Sequence, residues 1–318
     1  MLIMRAAYAS KFDDDNPLAA LAVGERPEPV LPADDWVRVR VRASSLNHHD
    51  LWSLRGVGLA ADRLPMILGC DAAGVDADGN DVVVYPVVAD AADPRGMSIL
   101  SEHYQGTLAE QVAVPRANLV PKPAGLSFAD ASCLPTAWLT AWRMLTTKGR
   151  IAEAESVLVQ GAGGGVASAA VAIATAMGKR VYATSRDAGK RERITELGAT
   201  ALASGARLPE RVDIVIETVG EATFDHSLKS AAPGARVVVS GATAGFQPKV
   251  NLRRVFAMQL EILGTSMGTP QELAELLAFC EEHGVRPMID SVHPFESVRD
   301  AFARLHSGDV FGKVVVEF

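Results

Sequence analysis

Residues Val157 to Arg186 read VLVQGAGGGVASAAVAIATAMGKRVYATSR. A short apolar run leads into Gly161-Ala162-Gly163-Gly164-Gly165, then into small apolar residues from about Val166 to Met177, then into a second apolar run at Arg180–Thr184. Strand, glycine turn, helix and strand within about thirty residues is the βαβ unit of a parallel sheet. Glycines let the backbone approach a pyrophosphate closely, and a helix N terminus supplies unpaired N–H groups and a positive dipole end. On this reading Gly161 makes the turn, Gly164 admits the phosphate, and Gly165 and Val166 open the helix. Ala167 lets that helix pack tightly on the strand.

The second strand decides the nucleotide. An adenosine ribose with a free 2′-hydroxyl calls for Asp or Glu at the strand tip, whereas a 2′-phosphate calls for cations. Here the tip is Ala183-Thr184-Ser185-Arg186, Asp187 comes only after Arg186, and Lys190 follows. Ser185 can donate a hydrogen bond, and Arg186 and Lys190 can pair with phosphate charge. The alternative is a solvated basic helix start; the expected cofactor is NADPH.

Working outward, strand and helix patterns alternate on the C-terminal side. A helix around Lys190–Leu197 is followed by a strand at Val212–Glu217 and a helix near Thr223–Ala231. Strands at Arg236–Ser240 and Leu260–Gly264 come next. This is the pattern of a doubly wound parallel sheet, an α/β fold. On the N-terminal side, Ser127 to Lys148 predicts a long helix capped by Ser127, with Asp130 at its third position. Before Pro121-Lys122-Pro123 the style is β: Trp36–Val41 alternates apolar and basic residues, and Asp81–Tyr85 and Glu110–Val114 each follow turn residues. The tail predicts an amphipathic helix over Gln271–His283, then strand, helix and strand over Pro287–Val292, Phe295–Ser307 and Lys313–Phe318. It has too few elements to stand alone and is expected to complete the first β domain. The division expected is 1–124 with 266–318, and 125–265 between them.

The bulk properties agree with a soluble enzyme. The chain has 318 residues, 48% of them hydrophobic and 22% charged, with a net charge of −7. That field disfavours nucleic acid and anionic membranes as partners. Three widely spaced cysteines argue against a disulfide framework or a cysteine-built structural metal site. No signal-peptide pattern or apolar run of about 20 residues is present, so a cytoplasmic location is expected.

Motifs along nearly the whole chain resemble the medium-chain dehydrogenase/reductase superfamily, whose members pair a GroES-like β-barrel-type catalytic domain with a Rossmann domain. They are VRASSLNHHDLWSLRG (Val41–Gly56), PMILGCDAAGV (Pro65–Val75), EHYQGTLAEQVAVPRANLVPKP (Glu102–Pro123) and LPTAWLTAWRML (Leu134–Leu145). The glycine turn, ETVG (Glu217–Gly220) and FGKVVVEF (Phe311–Phe318) complete the set. In zinc-dependent alcohol dehydrogenases of that superfamily three regions each supply a catalytic ligand. The matching positions here are Asn47, Cys70 and Thr136, and Asn47 and Thr136 are poor zinc ligands. Asp71 and His49 are the only neighbours that could rescue a site. The structural zinc lobe is also missing, since Val88 to Met97 holds no cysteine. The chain therefore resembles the zinc-free quinone oxidoreductase branch, with no metal expected.

The resemblance places Asn47 beside the nicotinamide, where its amide can polarise a carbonyl; a turn-stabilising Asn is the competing reading. It sets His48 where a cation touches the pyrophosphate, and His49 where a hydroxyl residue relays a proton. An imidazole can donate that proton near neutral pH, and Asp50 can stabilise its charged form; the competing reading for both histidines is a surface or packing residue of a loop. Further cofactor contacts are implied at Thr140, Thr218, Val219, Ser240, Gly241, Ala242 and Lys313. Trp52, Cys70 and Trp138 are candidates for the substrate pocket, each with a core reading as its alternative. The strand near Leu260–Gly264 resembles the edge through which relatives pair, so a homodimer is expected. The function expected is NADPH-dependent reduction of a quinone, enone or related activated carbonyl without zinc. A zinc-dependent alcohol dehydrogenase and a non-catalytic NADPH-binding protein of crystallin-like or redox-sensing type are the competing readings.

Overall fold

A computed structural model describes residues 2–90, 93 and 96–318. Among the described residues, ten strands lie before Pro123: β1 Ile3–Ala9, β2 Leu21–Pro27, β3 Trp36–Ser45, β4 Met66–Ile67, β5 Ala72–Asp76, β6 Asp81–Val84, β7 Val87–Ala89, β8 Met97–Ile99, β9 Gln111–Pro115 and β10 Leu119–Pro121. Six follow in the middle of the chain: β11 Ser156–Val159, β12 Arg180–Ser185, β13 Thr200–Ala203, β14 Val212–Glu217, β15 Ala231–Val239 and β16 Glu261–Gly264. The tail adds β17 Ile289–Pro294 and β18 Lys313–Glu317.

Two compact units result: Met1–Thr136 with Leu273–Glu281 and Ile289–Phe318, and Ala137–Glu272 with Glu282–Met288. Of the expected 266–318 tail, Leu273–Glu281 and Ile289–Phe318 lie in the first unit, while 266–272 and Glu282–Met288 lie in the second. Residues 125–136 also stay with the first unit, because Ser45 Oγ lies 3.0 Å from the Ser132 carbonyl oxygen and Cys133 packs with Ala43 and Val315. The style change at Pro123 thus precedes the physical boundary. The expected zinc-lobe stretch, Val88 to Met97, lies partly outside the described residues, at 91, 92, 94 and 95.

In the first unit the main sheet runs β10-β6-β5-β3-β18-β17, with β9 also on β3. The alternation predicted for β3 appears as buried Val37, Val39 and Val41 against exposed Arg38, Arg40 and Arg42. β18 pairs antiparallel with β3, Val315 opposite Ser45 and Val316 opposite Ser44. That register carries Lys313 to the start of the segment after β3, and the Leu46 N–H donates to the Val314 carbonyl at 2.9 Å. Leu46, Leu54, Met66, Leu68, Phe302, Val314 and Val316 form one core. His48 and His49 lie in a helix and not in the loop of the competing reading. They start the helix His48–Leu54, whose entry is held by Asp50 Oδ2 accepting from the Asn47 N–H at 2.8 Å.

The second unit is a six-stranded parallel sheet ordered β13-β12-β11-β14-β15-β16. β11 is buried at all four positions, as a central parallel strand must be. The chain steps from β11 outward to β12 and β13, then crosses to β14 and moves the other way, so the order reverses beside β11. This is where open α/β sheets hold ligands, outside the strand C termini. The helix after the glycine turn is Gly165–Ala176, and its buried face is Ala167, Ser168, Ala169, Ala170, Val171, Ile173 and Ala174. The single long helix predicted over Ser127–Lys148 is instead interrupted. Ser127 does cap it, its Oγ accepting from Asp130 N at 3.0 Å. Helical turns Phe128–Ser132 and Leu139–Arg143 are separated by a widened turn at Leu134–Trp138, and a second widened turn covers Met144–Lys148. Pro135 lacks the N–H that an unbroken α-helix would need there.

Candidate active site

Two groups of residues carry chemistry, one in each unit. In the second unit the turn leaves β11 at Gly161, whose φ of +64° suits glycine, and a Cβ there would lie 2.4 Å from Val219 Cγ2. Gly164 is the N-cap position of helix Gly165–Ala176 and has no side-chain cap. A Cβ built on Gly164 would meet nothing within 4 Å, so the ground before the helix N terminus is open. Gly165 and Val166 follow, both partly exposed. Backbone N–H groups at a long helix N terminus, with open space before them, fit the pyrophosphate of a dinucleotide.

The residues named for the nucleotide ribose lie at the tip of β12. Ser185 is buried and Arg186 exposed. The nearby acid, Asp187, is turned away into the following helix, its Oδ1 accepting from Lys190 N at 2.7 Å. The Lys190 side chain passes over Gly163, where a Cβ would lie 2.9 Å from Lys190 Cδ. Arg191 donates to the Ser185 and Arg186 carbonyls at 2.9 and 3.1 Å, a further cation at the strand tip that the sequence reading, which named Arg186 and Lys190, did not single out. At the neighbouring strand ends the Ser240 N–H donates to the Glu217 carbonyl at 3.0 Å. A Cβ on Gly241 would stand 3.2 Å from the Thr218 carbonyl oxygen, and one on Gly220 would stand 3.0 Å from Ala242. Thr218, Val219, Ser240, Gly241 and Ala242 are therefore together at the C-terminal ends of β14 and β15. Thr140 is buried in helix Leu139–Arg143. Trp138 is fully buried, and its indole N–H has no hydrogen-bond partner.

In the first unit a buried polar cluster gathers around Asp71. Its Oδ2 accepts from Ser45 Oγ at 2.8 Å, from Asn47 Nδ2 at 2.8 Å and from Lys313 Nζ at 3.2 Å. Thr136 Oγ1 donates to its Oδ1. Lys313 is only 3% exposed, and its other two hydrogens go to Asn47 Oδ1 at 2.6 Å and the Leu46 carbonyl at 2.8 Å. All three ammonium donors are thereby used, and the phosphate contact implied for Lys313 is replaced by a buried ion pair. Both ends of the Asn47 amide are likewise engaged, oxygen to Lys313 and nitrogen to Asp71.

Asp50 is pinned as well, Oδ1 accepting from the Gly69 N–H at 2.8 Å and Oδ2 from Asn47 N. Burial pushes its carboxyl up, against the opposing pull of His49 and of these two backbone donors. The side-chain partner of His49 is a residue the sequence did not single out: Glu102, with Oε1 3.3 Å from His49 Nε2. Ser101 Oγ stands 3.5 Å from His49 Nδ1. Burial alone would push the His49 imidazole down. Its bonds to Cys70 and Glu102, with Asp50 nearby, outweigh that and hold it well above the ordinary histidine value. Cys70 is buried, which pushes its thiol up despite the bond to His49, and its Sγ lies 3.6 Å from both Asn47 Nδ2 and Thr136 Oγ1. The cluster brings together Asn47, His49, Asp50, Cys70, Asp71, Thr136 and Lys313, and includes Glu102, which the sequence reading did not single out. His48 is exposed, its ring 6.5 Å from that of the exposed Trp52.

Comparison with known proteins gives these features a context. Residues 33–124 match the family model described as an alcohol dehydrogenase GroES-like domain, and residues 188–316 match one described as a zinc-binding dehydrogenase. A 2-methylene-furan-3-one reductase of Solanum lycopersicum is 32% identical over 89% of this chain and 72% of its own length. A quinone oxidoreductase of Mus musculus is 27% identical over 90% of each chain. A solved structure of an NAD-dependent alcohol dehydrogenase superposes with a TM-score of 0.88 at 33% identity, covering 99% of this chain and all of that one.

Proposed function

We propose, from the premise that this chain belongs to the medium-chain dehydrogenase/reductase superfamily, that it reduces a quinone, enone or related activated carbonyl with NADPH and without zinc. Reduced nicotinamide supplies a hydride when bound. Gly161, Gly164, Gly165 and Val166 would hold the pyrophosphate, and Ser185, Arg186 and Lys190 the 2′-phosphate, with Asp187 withdrawn into its helix cap. The nicotinamide half would be held by Thr218, Val219, Ser240, Gly241 and Ala242, with His48 and Thr140 as further cofactor contacts.

The observation that carries the zinc-free reading is Lys313. Its ammonium sits among the side chains that match zinc-ligand positions in relatives, bonded to Asn47 Oδ1 and paired with Asp71. A dication there would face this fixed positive charge. Asn47 and Thr136 offer no anionic donor, and the Cys70 thiol is pushed towards its protonated form. This donor set does not fit zinc.

The proton is assigned to His49. Reduction builds negative charge on the substrate oxygen, and a charged imidazole can both stabilise and protonate it. Glu102 keeps His49 charged and oriented. Asp50 acts beneath it, fixing the helix start that presents the imidazole. Trp52 and Cys70 remain the proposed pocket residues.

The test is oxidation of NADPH and of NADH, with EDTA present, against 9,10-phenanthrenequinone, a simple enone and an aldehyde. Turnover with NADPH on the quinone or enone is expected. Stoichiometric zinc whose removal abolishes activity would overturn the reading, and tight NADPH binding without any turnover would favour a binding role. No helix among the described residues is long and apolar enough to cross a membrane, in keeping with a small-molecule substrate met in water.

A further inference from the structure

We infer that Gln160 is a positioning residue for nucleotide binding, whose buried side chain ties the glycine turn and the Thr218–Gly220 turn into one preformed cradle. The inference rests on the reading above that the glycine turn seats a dinucleotide.

Gln160 is the residue between β11 and Gly161, and it is fully buried. Its Oε1 accepts from Thr184 Oγ1 at 2.6 Å, while Nε2 lies 3.0 Å from Ser227 Oγ and 2.8 Å from His226 Nδ1. The direction of every bond follows from the ends of the network. At one end the Gly161 N–H donates to Thr184 Oγ1 at 3.3 Å, so the Thr184 hydrogen is free to point at Gln160. At the other end Ser227 Oγ donates to Glu217 Oε2 at 2.5 Å, so its oxygen must accept from Gln160. His226 Nε2 faces the Ala206 carbonyl at 2.9 Å, which puts the hydrogen on Nε2 and leaves Nδ1 as an acceptor. Only an amide, with an acceptor on one arm and two donors on the other, completes this set.

What the network holds is the geometry of both turns. Glu217 is fully buried, and its Oε1 accepts from Val219 N at 2.9 Å, Gly220 N at 3.0 Å and Thr223 Oγ1 at 2.8 Å. That carboxylate therefore shapes the turn after β14. Thr184 does the same for the turn after β11, its carbonyl accepting from Ala162 N at 2.8 Å in addition to the hydroxyl contact with Gly161. The two turns also touch directly, since Val219 fills the space a Gly161 side chain would need. Gln160 is the bridge between Thr184 and, through Ser227, Glu217. Affinity for a rigid, charged ligand depends on donors already in place, so slackening the bridge weakens binding without touching the reacting atoms.

The experiment measures NADPH and NADH Kd by fluorescence titration, with steady-state kinetics and thermal unfolding alongside, for Gln160→Leu, Thr184→Val and Thr184→Ser. Expected is a rise of about tenfold in nucleotide Kd and KM for Gln160→Leu and Thr184→Val, with kcat at saturating nucleotide within about twofold. Thr184→Ser, which keeps the hydroxyl, should restore Kd to within about twofold of the parent protein. A purely structural role would lower the unfolding midpoint while leaving Kd unchanged well below it, and that result overturns the inference. If Gln160→Leu fails to fold, the Thr184 pair decides by the same criterion. A parent protein that binds neither nucleotide removes the underlying reading itself, which is a different failure from unchanged Kd in the variants.

Discussion

The glycine turn of the second unit and the Asp71 cluster of the first solve opposite problems. The turn is contiguous and made largely of backbone: Gly161, Gly164 and Gly165 matter for what they lack, and its geometry is legible in five adjacent letters. The cluster is assembled from Asn47, Asp71, Glu102, Thr136 and Lys313, residues up to 266 positions apart, and it consists of side chains that neutralise one another. One region is backbone with open space before a helix N terminus; the other is a closed set of paired buried side chains. Substitution in the cluster should therefore first be felt as stability, and substitution in the turn as binding.

The sharpest way to break that contrast is Lys313→Met. It leaves Asp71 buried without its cation, and removing one partner of a buried pair costs about 3–5 kcal/mol. Urea unfolding would measure it, and a loss below about 1 kcal/mol would mean that the cluster is not held by this charge. Next in size is Gly161→Ala, which must place a methyl at a φ of +64° and against Val219. Nucleotide affinity should fall by at least about tenfold while stability changes by about 1–2 kcal/mol. The reverse order, a large stability loss with intact binding, would erase the distinction between the two regions.

His49 tests whether the closed cluster also works. Its folded pKa is raised, so the stability it contributes is complete below about pH 6.5 and is lost as pH rises through the raised value. Activity that needs the imidazolium should share that alkaline limb. His49→Phe should lower kcat/KM by about a hundredfold. Glu102→Gln removes one of the bonds that raise the pKa, so the alkaline limb should move towards lower pH; a pH–rate profile that Glu102→Gln leaves in place would detach Glu102 from His49. A smaller effect is expected at the strand tip, where Arg186→Glu should shift the NADPH over NADH preference by about tenfold. Kd ratios measure this, and an unchanged ratio would return the choice of nucleotide to Lys190 and Ser185.

The last comparison lies within the second unit. β16 forms one edge of the parallel sheet, with Ile262 exposed, and Leu252 and Phe256 exposed on the preceding helix Leu252–Ala257. We propose that a second copy pairs here, and light scattering at micromolar concentration should give a dimer mass. A monomer would leave this edge to another role.

The sequence alone determined whatever depends on neighbours along the chain. The period-two alternation at Trp36–Val41, the buried runs at Ser156–Gln160 and Val212–Glu217, and the Pro270 to Gly284 helix all appear within a few residues of their expected bounds. The glycine turn between β11 and its helix was legible for the same reason, since glycine spacing and helix start are local. One local reading failed on local chemistry that was overlooked, since Pro135 interrupts the long helix, and the Asn47–Asp50 pair starts a helix that no element of the sequence reading named. Only the tertiary structure decided the contents of the cluster. Glu102 meets His49 across 53 residues, and Lys313 reaches Asn47 because β18 docks beside β3 in one register. Such contacts are set by strand pairing between distant segments, and no spacing within either segment records them. A buried charge is neutralised by whatever the fold brings to it.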